Sequence, residues 1–251
     1  MFGIVKNRCP KPSVIPNMAS SSSSFSSPIL ISLDGNIGAG KSTLLEALKT
    51  LIPEITVVAE PVADWVSLKN QAGDNLLELF YRDTARWCYT FQNCAILTRL
   101  IHTTEILDSW RPAEGKLPIV ITERSVLTDR YVFAEMLHRE GKMDDLEWSL
   151  YMKWYSHYAK DLPVRGIIHV STCATTSAER ITKRGRSGEE RIPMEYLQHL
   201  DAQHHTWLTD FHLPVLEVST EADVPLEETV SKIRVWIHRL VEEVYGKSKQ
   251  D

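Results

Sequence analysis

The sequence predicts an α/β fold, a parallel sheet covered by helices on both faces. Three observations carry this. Five short apolar, β-branched runs recur along the 251-residue chain, at Ile29–Leu33, Ile55–Ala59, Pro118–Thr122, Gly166–Ser171 and Pro214–Ser219. Longer segments with helical periodicity separate them, and strands alternating with helices make parallel crossovers. The runs are apolar along their length, as strands buried on both faces must be.

The elements follow in order. The first strand leads through glycines into "TLLEALKTL", a helix. The segment from Leu76 to Trp110 lacks Gly and Pro and reads as one long helix. Further helices are predicted over Leu127–Glu140, Asp144–Lys160, Thr175–Lys183, Pro193–Thr209 and Pro225–Tyr245. No internal repeat and no linker follows residue 28, so residues 29–251 are expected to form one domain. Residues 1–28 differ in kind. Pro10, Pro12 and Pro16 interrupt any helix, Ser20–Ser24 is a low-complexity tract, and the first acidic residue of the chain is Asp34. A disordered tail is the favoured reading. The basic, Ser-rich, acid-free start also has the composition of an organelle transit peptide, which would send the protein to a mitochondrion or another organelle instead of the cytoplasm.

Composition is that of a water-soluble globular chain, 43% hydrophobic and 24% charged, with a net charge of −5. That balance gives no support for a nucleic-acid partner. No apolar run reaches the ~18 residues of a membrane span. The four cysteines form no CxxC pair, which suits free thiols in a reducing compartment. His199, His204, His205 and His212 have no cysteine with ligand spacing nearby, so structural zinc has little support.

The chemistry begins at "GNIGAGKS", Gly35 to Ser42, which fits the phosphate-binding pattern G-x-x-x-x-G-K-[ST]. Gly35, Gly38 and Gly40 let the backbone curl so that amides, including those of Asn36, Ala39 and Thr43, point at phosphate oxygens. The following helix adds its free N–H groups and positive dipole end. Lys41 reaches the outer phosphates, and the Ser42 hydroxyl is a ligand for Mg²⁺. A GTPase would also carry a D-x-x-G switch and an N-K-x-D base reader, and neither occurs at a suitable position.

Ligands of a parallel sheet bind beyond the carboxyl ends of its strands. The second predicted strand ends in "AEP", with Glu60, and the third in "TERS", with Glu123 and Arg124. Two carboxylates and an arginine at the edge that carries the phosphate cradle are the equipment for phosphoryl transfer to a hydroxyl. One carboxylate takes a proton, another orients Mg²⁺, and the arginine stabilises the transferred group. In "ERITKRGRSGEER", Arg180 and Arg184 are one helical turn apart and Arg186 follows Gly185. Solvated charge runs look like this too. Beside a phosphate cradle the run reads as an arginine-rich lid that excludes water. In the predicted long helix, Tyr81, Gln92 and Arg99 fall within roughly 20° of one line at helical spacing. Such a stripe is odd for a core. Gln suits a base edge, and Trp65, Phe80 and Phe91 are candidate aromatic walls, although most aromatics are simply core.

Five ordered motifs, "DGNIGAGKST", "EPVADW", "FYRDTARWCYTFQ", "ERSVLTDRYVFA" and "RGRSGEERIPMEYLQHL", resemble those of the deoxyribonucleoside kinases, the group with deoxycytidine, deoxyguanosine, insect multisubstrate and mitochondrial thymidine kinases. The resemblance spans about residues 29 to 245. It implies a P-loop kinase-type three-layer fold with a five-stranded parallel sheet, a homodimer, and transfer of the γ-phosphoryl group of ATP or another NTP to a deoxynucleoside 5'-hydroxyl with Mg²⁺. By motif, Glu60 resembles the general base, and Glu123 and Arg124 resemble the pair beside Mg²⁺ and the reacting phosphate. Arg180, Arg184 and Arg186 resemble the lid arginines. Tyr81 and Glu189 resemble the readers of the sugar 3'-hydroxyl, Gln92 the base-reading amide and Phe91 the ring that stacks on the base. Ala95, Arg99 and Asp129 match members that prefer deoxycytidine and deoxypurines, since an Arg–Asp pair crowds the space a thymine methyl needs. Gly188 stands where the family usually has the first of two consecutive Glu, so either Glu189 or Glu190 is the 3'-hydroxyl reader.

Two other readings have discriminating features. A thymidylate-type nucleoside monophosphate kinase would need a second phosphate-binding arginine set for its acceptor and no base at Glu60. A non-catalytic nucleotide-binding module would have no reason to keep Glu60, Glu123 and the lid arginines together.

Overall fold

The computed structural model describes residues 27–159, 162–209, 211–221 and 224–246. The tail predicted over residues 1–28 lies outside these apart from its last two residues. Five strands form one sheet in the order β2-β3-β1-β4-β5. They are β1 (Ile29–Gly35), β2 (Thr56–Val58), β3 (Ile119–Glu123), β4 (Val164–Ser171) and β5 (Val215–Ser219). Every neighbouring pair is parallel, with Leu33 opposite Glu123 and Gly35 opposite Val170. Each predicted strand is present.

Helices cover both faces, giving the three-layer α/β P-loop kinase-type fold. On one face Ile29, Ile31 and Leu33 of β1 pack on Leu44, Leu45 and Leu48 of α1 (Lys41–Leu51) and on Ile233, Ile237 and Leu240 of the C-terminal helix. On the other face Ile167 meets Ile181, Leu197 and Leu200 of two later helices. A second helical cluster stands beyond the sheet, joining Trp65, Phe80, Phe91, Ile96, Leu137 and Tyr151.

The segment from Leu76 to Trp110 is two helices, not one: α3 (Leu76–Arg82) and α4 (Thr84–Ser109). Asp83 breaks it with φ −146° and ψ 81°, and its carboxylate caps α4 by accepting from the Arg86 N–H at 3.2 Å. Asp competes for backbone donors and so favours an N-cap over a helix interior. A search for Gly and Pro alone misses such a break. α3 is also capped at its start, where Asn75 and Glu78 form a reciprocal capping box. A short helix not predicted, α2 (Val62–Ser67), precedes it.

The helix predicted over Leu127–Glu140 is α5 (Val126–Thr128), a π-helical turn (Asp129–Ala134) and α6 (Glu135–Arg139). The wide turn changes the angular phase of Asp129 and Phe133, and both line a cavity described below. α7 (Asp145–Trp154) runs into a second π-helical turn (Tyr155–Ala159), and the predicted last residue Lys160 lies outside the described residues. α8 (Ala174–Arg184), α9 (Met194–Thr209) and α10 (Leu226–Gly246) match the remaining predictions to within one residue at each end.

Candidate active site

The carboxyl ends of the strands converge on two adjoining cavities. The first, about 240 Å³, is lined by side chains from α2, α3, α4 and the π-helical turn after α5. The second, about 670 Å³, lies between the glycine loop, α8 and the end of β5. Gly38, Lys41, Ser42, Glu123, Arg184 and Arg186 line both and form the wall between them.

The glycine loop lies between β1 and α1. Gly38 has φ +78°, and a Cβ there would meet the Ser177 carbonyl at 2.4 Å, so only glycine fits. Gly40, Ser42 and Thr43 line the second cavity. Asn36 does not reach either cavity by its side chain: its amide donates to the Leu197 carbonyl at 2.8 Å and pins the loop to α9. Gly35 packs against Val170, and the Ala39 carbonyl accepts from Thr220 at 2.6 Å, so both shape the loop from behind. Lys41 donates from Nζ to the Asn36 carbonyl at 2.7 Å. Burial, then the nearby Arg124 charge, brings Lys41 down to about 7.

Glu60 follows β2 and is held ionised. Its Oε1 accepts from Arg124 at 2.6 Å and from Arg99 at 3.1 Å. Burial favours its neutral form, but the Arg124 and Arg99 charges outweigh that and hold the carboxyl down to about 2. Arg99 donates to the Asp129 carboxylate and to the Glu123 carbonyl, both at 2.8 Å, so one guanidinium ties α4 to the ends of β2 and β3. Arg124 is the one non-glycine residue with positive φ among the described residues, at +60°. A left-handed Arg costs roughly 1–2 kcal/mol. The conformation is held by its N–H to the Leu33 carbonyl at 2.9 Å, and Phe133 lies under its guanidinium at 5.0 Å.

Ser42 Oγ lies 3.1 Å from Glu123 Oε1. A hydroxyl and a carboxylate beside a phosphate cradle are hard oxygen donors, and Mg²⁺ is commonly held by one or two protein groups plus phosphates and water. The pair therefore fits that ion.

At the far end of the first cavity Gln92 is 1% exposed, and its Oε1 has no hydrogen-bond partner. A buried amide acceptor without a partner is costly, and a ligand donor would relieve it. Phe91 stacks on Phe80 at 4.5 Å and meets Trp65 edge-on at 5.3 Å, and all three line the cavity with Ala95. Tyr81 is there too, but it belongs to α3 while Gln92 and Arg99 belong to α4, so the single-helix stripe does not hold for Tyr81.

Arg184 and Arg186 reach the buried Glu189, at 2.5 Å to Oε2 and 2.9 Å to Oε1. Glu190 points outward, its side chain 63% exposed, and lines neither cavity. Gly188 has φ +89°, and a Cβ there would come within 3.0 Å of Glu78 Cα. Arg180 turns to the end of β5, donating to the Thr220 carbonyl at 2.5 Å, and lines the second cavity alone.

Several lining residues escape the sequence reading: Ile37, Leu77, Phe133, Lys183, Thr220 and Glu221. Thr220 and Glu221 follow β5 directly, so the strand-end rule that singles out Glu60 applies equally to them. Phe133 depends on the π-helical phase, which has no local signal.

Comparison with known proteins agrees with this geometry. The deoxynucleoside kinase family model matches residues 31–242. Deoxycytidine kinase 2 of Gallus gallus is 37% identical over 225 residues, 83% of each chain. Human deoxycytidine kinase is 33% identical over 238 residues, 84% of this chain and 91% of its own. The mitochondrial deoxyguanosine kinase of Xenopus laevis is 31% identical over 217 residues, 77% of this chain and 82% of its own. With a match over most of its length and relatives above 30% identity, the chain belongs to the deoxynucleoside kinase family.

Proposed function

We propose that the protein transfers the γ-phosphoryl group of ATP, or of another NTP, to the 5'-hydroxyl of a deoxynucleoside, with deoxycytidine and deoxypurine nucleosides preferred. The observation that carries this is the shared wall. Lys41, Ser42, Glu123, Arg184 and Arg186 face, on one side, a cavity edged by the glycine loop, Arg180 and Lys183 and, on the other, an aromatic cavity that includes the Gln92 amide. The glycine-loop cavity suits a triphosphate and the aromatic cavity a nucleoside.

In this reading Gln92 takes the base edge, Phe91, Phe80 and Trp65 enclose the ring, and Tyr81 and Glu189 hold the sugar 3'-hydroxyl. Glu60, ionised at any physiological pH, accepts the 5'-hydroxyl hydrogen bond and aims the oxygen at the wall. Phosphoryl transfer passes through a loose transition state, so the base orients first and receives the proton late. Lys41, Arg124, Arg184 and Arg186 balance the charge on the transferred group. Mg²⁺ held at Ser42 and Glu123 would neutralise phosphate oxygens. An acceptor that already carried a phosphate is disfavoured: Arg99 is paired with Glu60 and Asp129, and Arg124 with Glu60.

A homodimer is part of the proposal. Leu97 and Ile101 of α4 and Leu146, Leu150 and Trp154 of α7 are exposed apolar side chains on two helices that pack together. A second copy would cover them.

The test is to incubate purified protein with labelled ATP, Mg²⁺ and each of the four deoxynucleosides and to follow monophosphate formation. Product from deoxycytidine or a deoxypurine nucleoside is expected. No product from any of the four overturns the activity, and product from thymidine alone overturns the preference.

A further inference from the structure

Asp34 is fully buried at the end of β1, directly before the glycine loop, and lines neither cavity. Its Oδ1 accepts a hydrogen bond from the Thr128 hydroxyl, and that hydroxyl oxygen accepts from the Ser125 N–H at 3.2 Å. Ser125 is the neighbour of Arg124, whose backbone is in the left-handed region. The other side of Arg124 is held by its own N–H to Leu33, the neighbour of Asp34. The guanidinium then donates to Glu60 at 2.6 Å and to the Gly35 carbonyl at 3.3 Å. A strained backbone persists only where its surroundings over-determine it, and here the chain of restraints ends on one buried carboxyl.

We propose that Asp34 is a positioning residue: acting through Thr128 and Ser125, it holds Arg124 in the left-handed conformation that aims its guanidinium at Glu60. The inference rests on the reading of Arg124 as an arginine of the reaction centre. The work is done by a hydrogen-bond acceptor at Oδ1 and needs no negative charge. Burial favours the neutral form of Asp34, and Oδ2 has no hydrogen-bond partner.

Four variants test this in the full chain: Asp34→Asn, Asp34→Ala, Thr128→Val and the double Asp34→Ala with Thr128→Val, each with kcat, acceptor KM and a thermal melt. Asn keeps an acceptor for Thr128 and is expected within about 3-fold of wild type. Ala at 34 and Val at 128 are each expected to lower kcat by about 10-fold or more at an acceptor KM within about 3-fold. The double variant is expected within about 2-fold of the slower single one, because both break the same chain. A folded Asp34→Ala or Thr128→Val enzyme with wild-type kcat overturns the proposal. So does Asp34→Asn as slow as Asp34→Ala, or two losses that multiply. If Asp34→Ala does not fold, Thr128→Val and Asp34→Asn still decide. A wild-type enzyme with no activity on any deoxynucleoside refutes the functional reading instead.

Discussion

Replacing Glu60 by Gln removes one negative charge from between two buried guanidiniums, and the structure sets the size of the effect. Holding the carboxyl at about 2 instead of the ordinary 4.5 corresponds to about 3 kcal/mol of stability. Because the folded value is depressed, that contribution is complete above pH 4.5 and is lost as pH falls through about 2. The neutral Gln forfeits it at any pH and leaves Arg99 and Arg124 with less countercharge. For a chain of this size each kcal/mol moves Tm by about 2–4 °C, so Glu60→Gln should melt about 6–12 °C below wild type. Turnover should fall by ~10² or more, the usual worth of a general base. The assay is a thermal melt beside steady-state kinetics, with Glu60→Asp as control. Asp keeps the charge and shortens the reach, so it should recover more of the melting temperature than of the turnover. Between about pH 5 and 8 wild-type kcat should show no limb from Glu60, which is ionised throughout. A Glu60→Gln enzyme with near-normal turnover would refute its role as base, and one with an unchanged Tm would refute its part in the charge network.

Lys41 gives a second pH signature of the same sense in a higher window. Its folded value is lowered from 10.5 to about 7, so the ligand-free protein should gain stability as pH rises from 7 towards 10.5. Denaturant melts at pH 7 and pH 9 should show that gain in wild type and lose most of it in Lys41→Met, which should also be inactive. Exchanging the buried pair together, Arg99→Leu with Asp129→Ala, should raise thymidine turnover relative to deoxycytidine, read as the ratio of kcat/KM. Arg99→Leu alone should instead destabilise, because it leaves the buried Asp129 without its guanidinium partner. Glu189→Gln should weaken discrimination between a deoxynucleoside and its 3'-deoxy analogue while Glu190→Gln does not. The reverse outcome would make Glu190 the sugar reader. Leu146→Glu with Leu150→Glu should sediment as a monomer in analytical ultracentrifugation if α7 lies in the dimer interface.

The strands and the glycine loop were legible in sequence because each follows from a short local pattern. β-branched runs mark buried strands, and a phosphate cradle needs its glycines at fixed offsets. Glu60, Glu123 and Arg124 were legible by one further rule, that a parallel sheet presents its ligands at its carboxyl edge. What escaped depends on choices that local pattern does not fix. Asp83 breaks a helix that has no Gly or Pro, and it does so by capping. The π-helical turn after α5 shifts the phase by one residue, so no 3.6-residue template finds Phe133. The choice between Glu189 and Glu190 turns on the backbone at Gly188. With φ +89° and Glu78 Cα close by, that position admits no side chain, and the chain rises from it with Glu189 inward and Glu190 outward.

The cations of the site divide by partner, and the division fits the two ligands proposed above. Arg99 and Arg124 face only the aromatic cavity and are bonded to carboxylates, Glu60 and Asp129. Arg180 faces only the other cavity and is bonded to neutral oxygens of Thr220, while Lys41, in the wall between, is bonded to the neutral Asn36 carbonyl. A neutral nucleoside asks for no countercharge, so matched ion pairs there supply hydrogen bonds without attracting an anion. A triphosphate brings several negative charges, and unmatched cations beside the glycine loop gain most from it. Arg184 and Arg186 line both cavities and share one carboxylate, Glu189. They thus stand between the two cavities, and the charge pattern supports the proposed assignment of triphosphate to the glycine-loop cavity and nucleoside to the aromatic one.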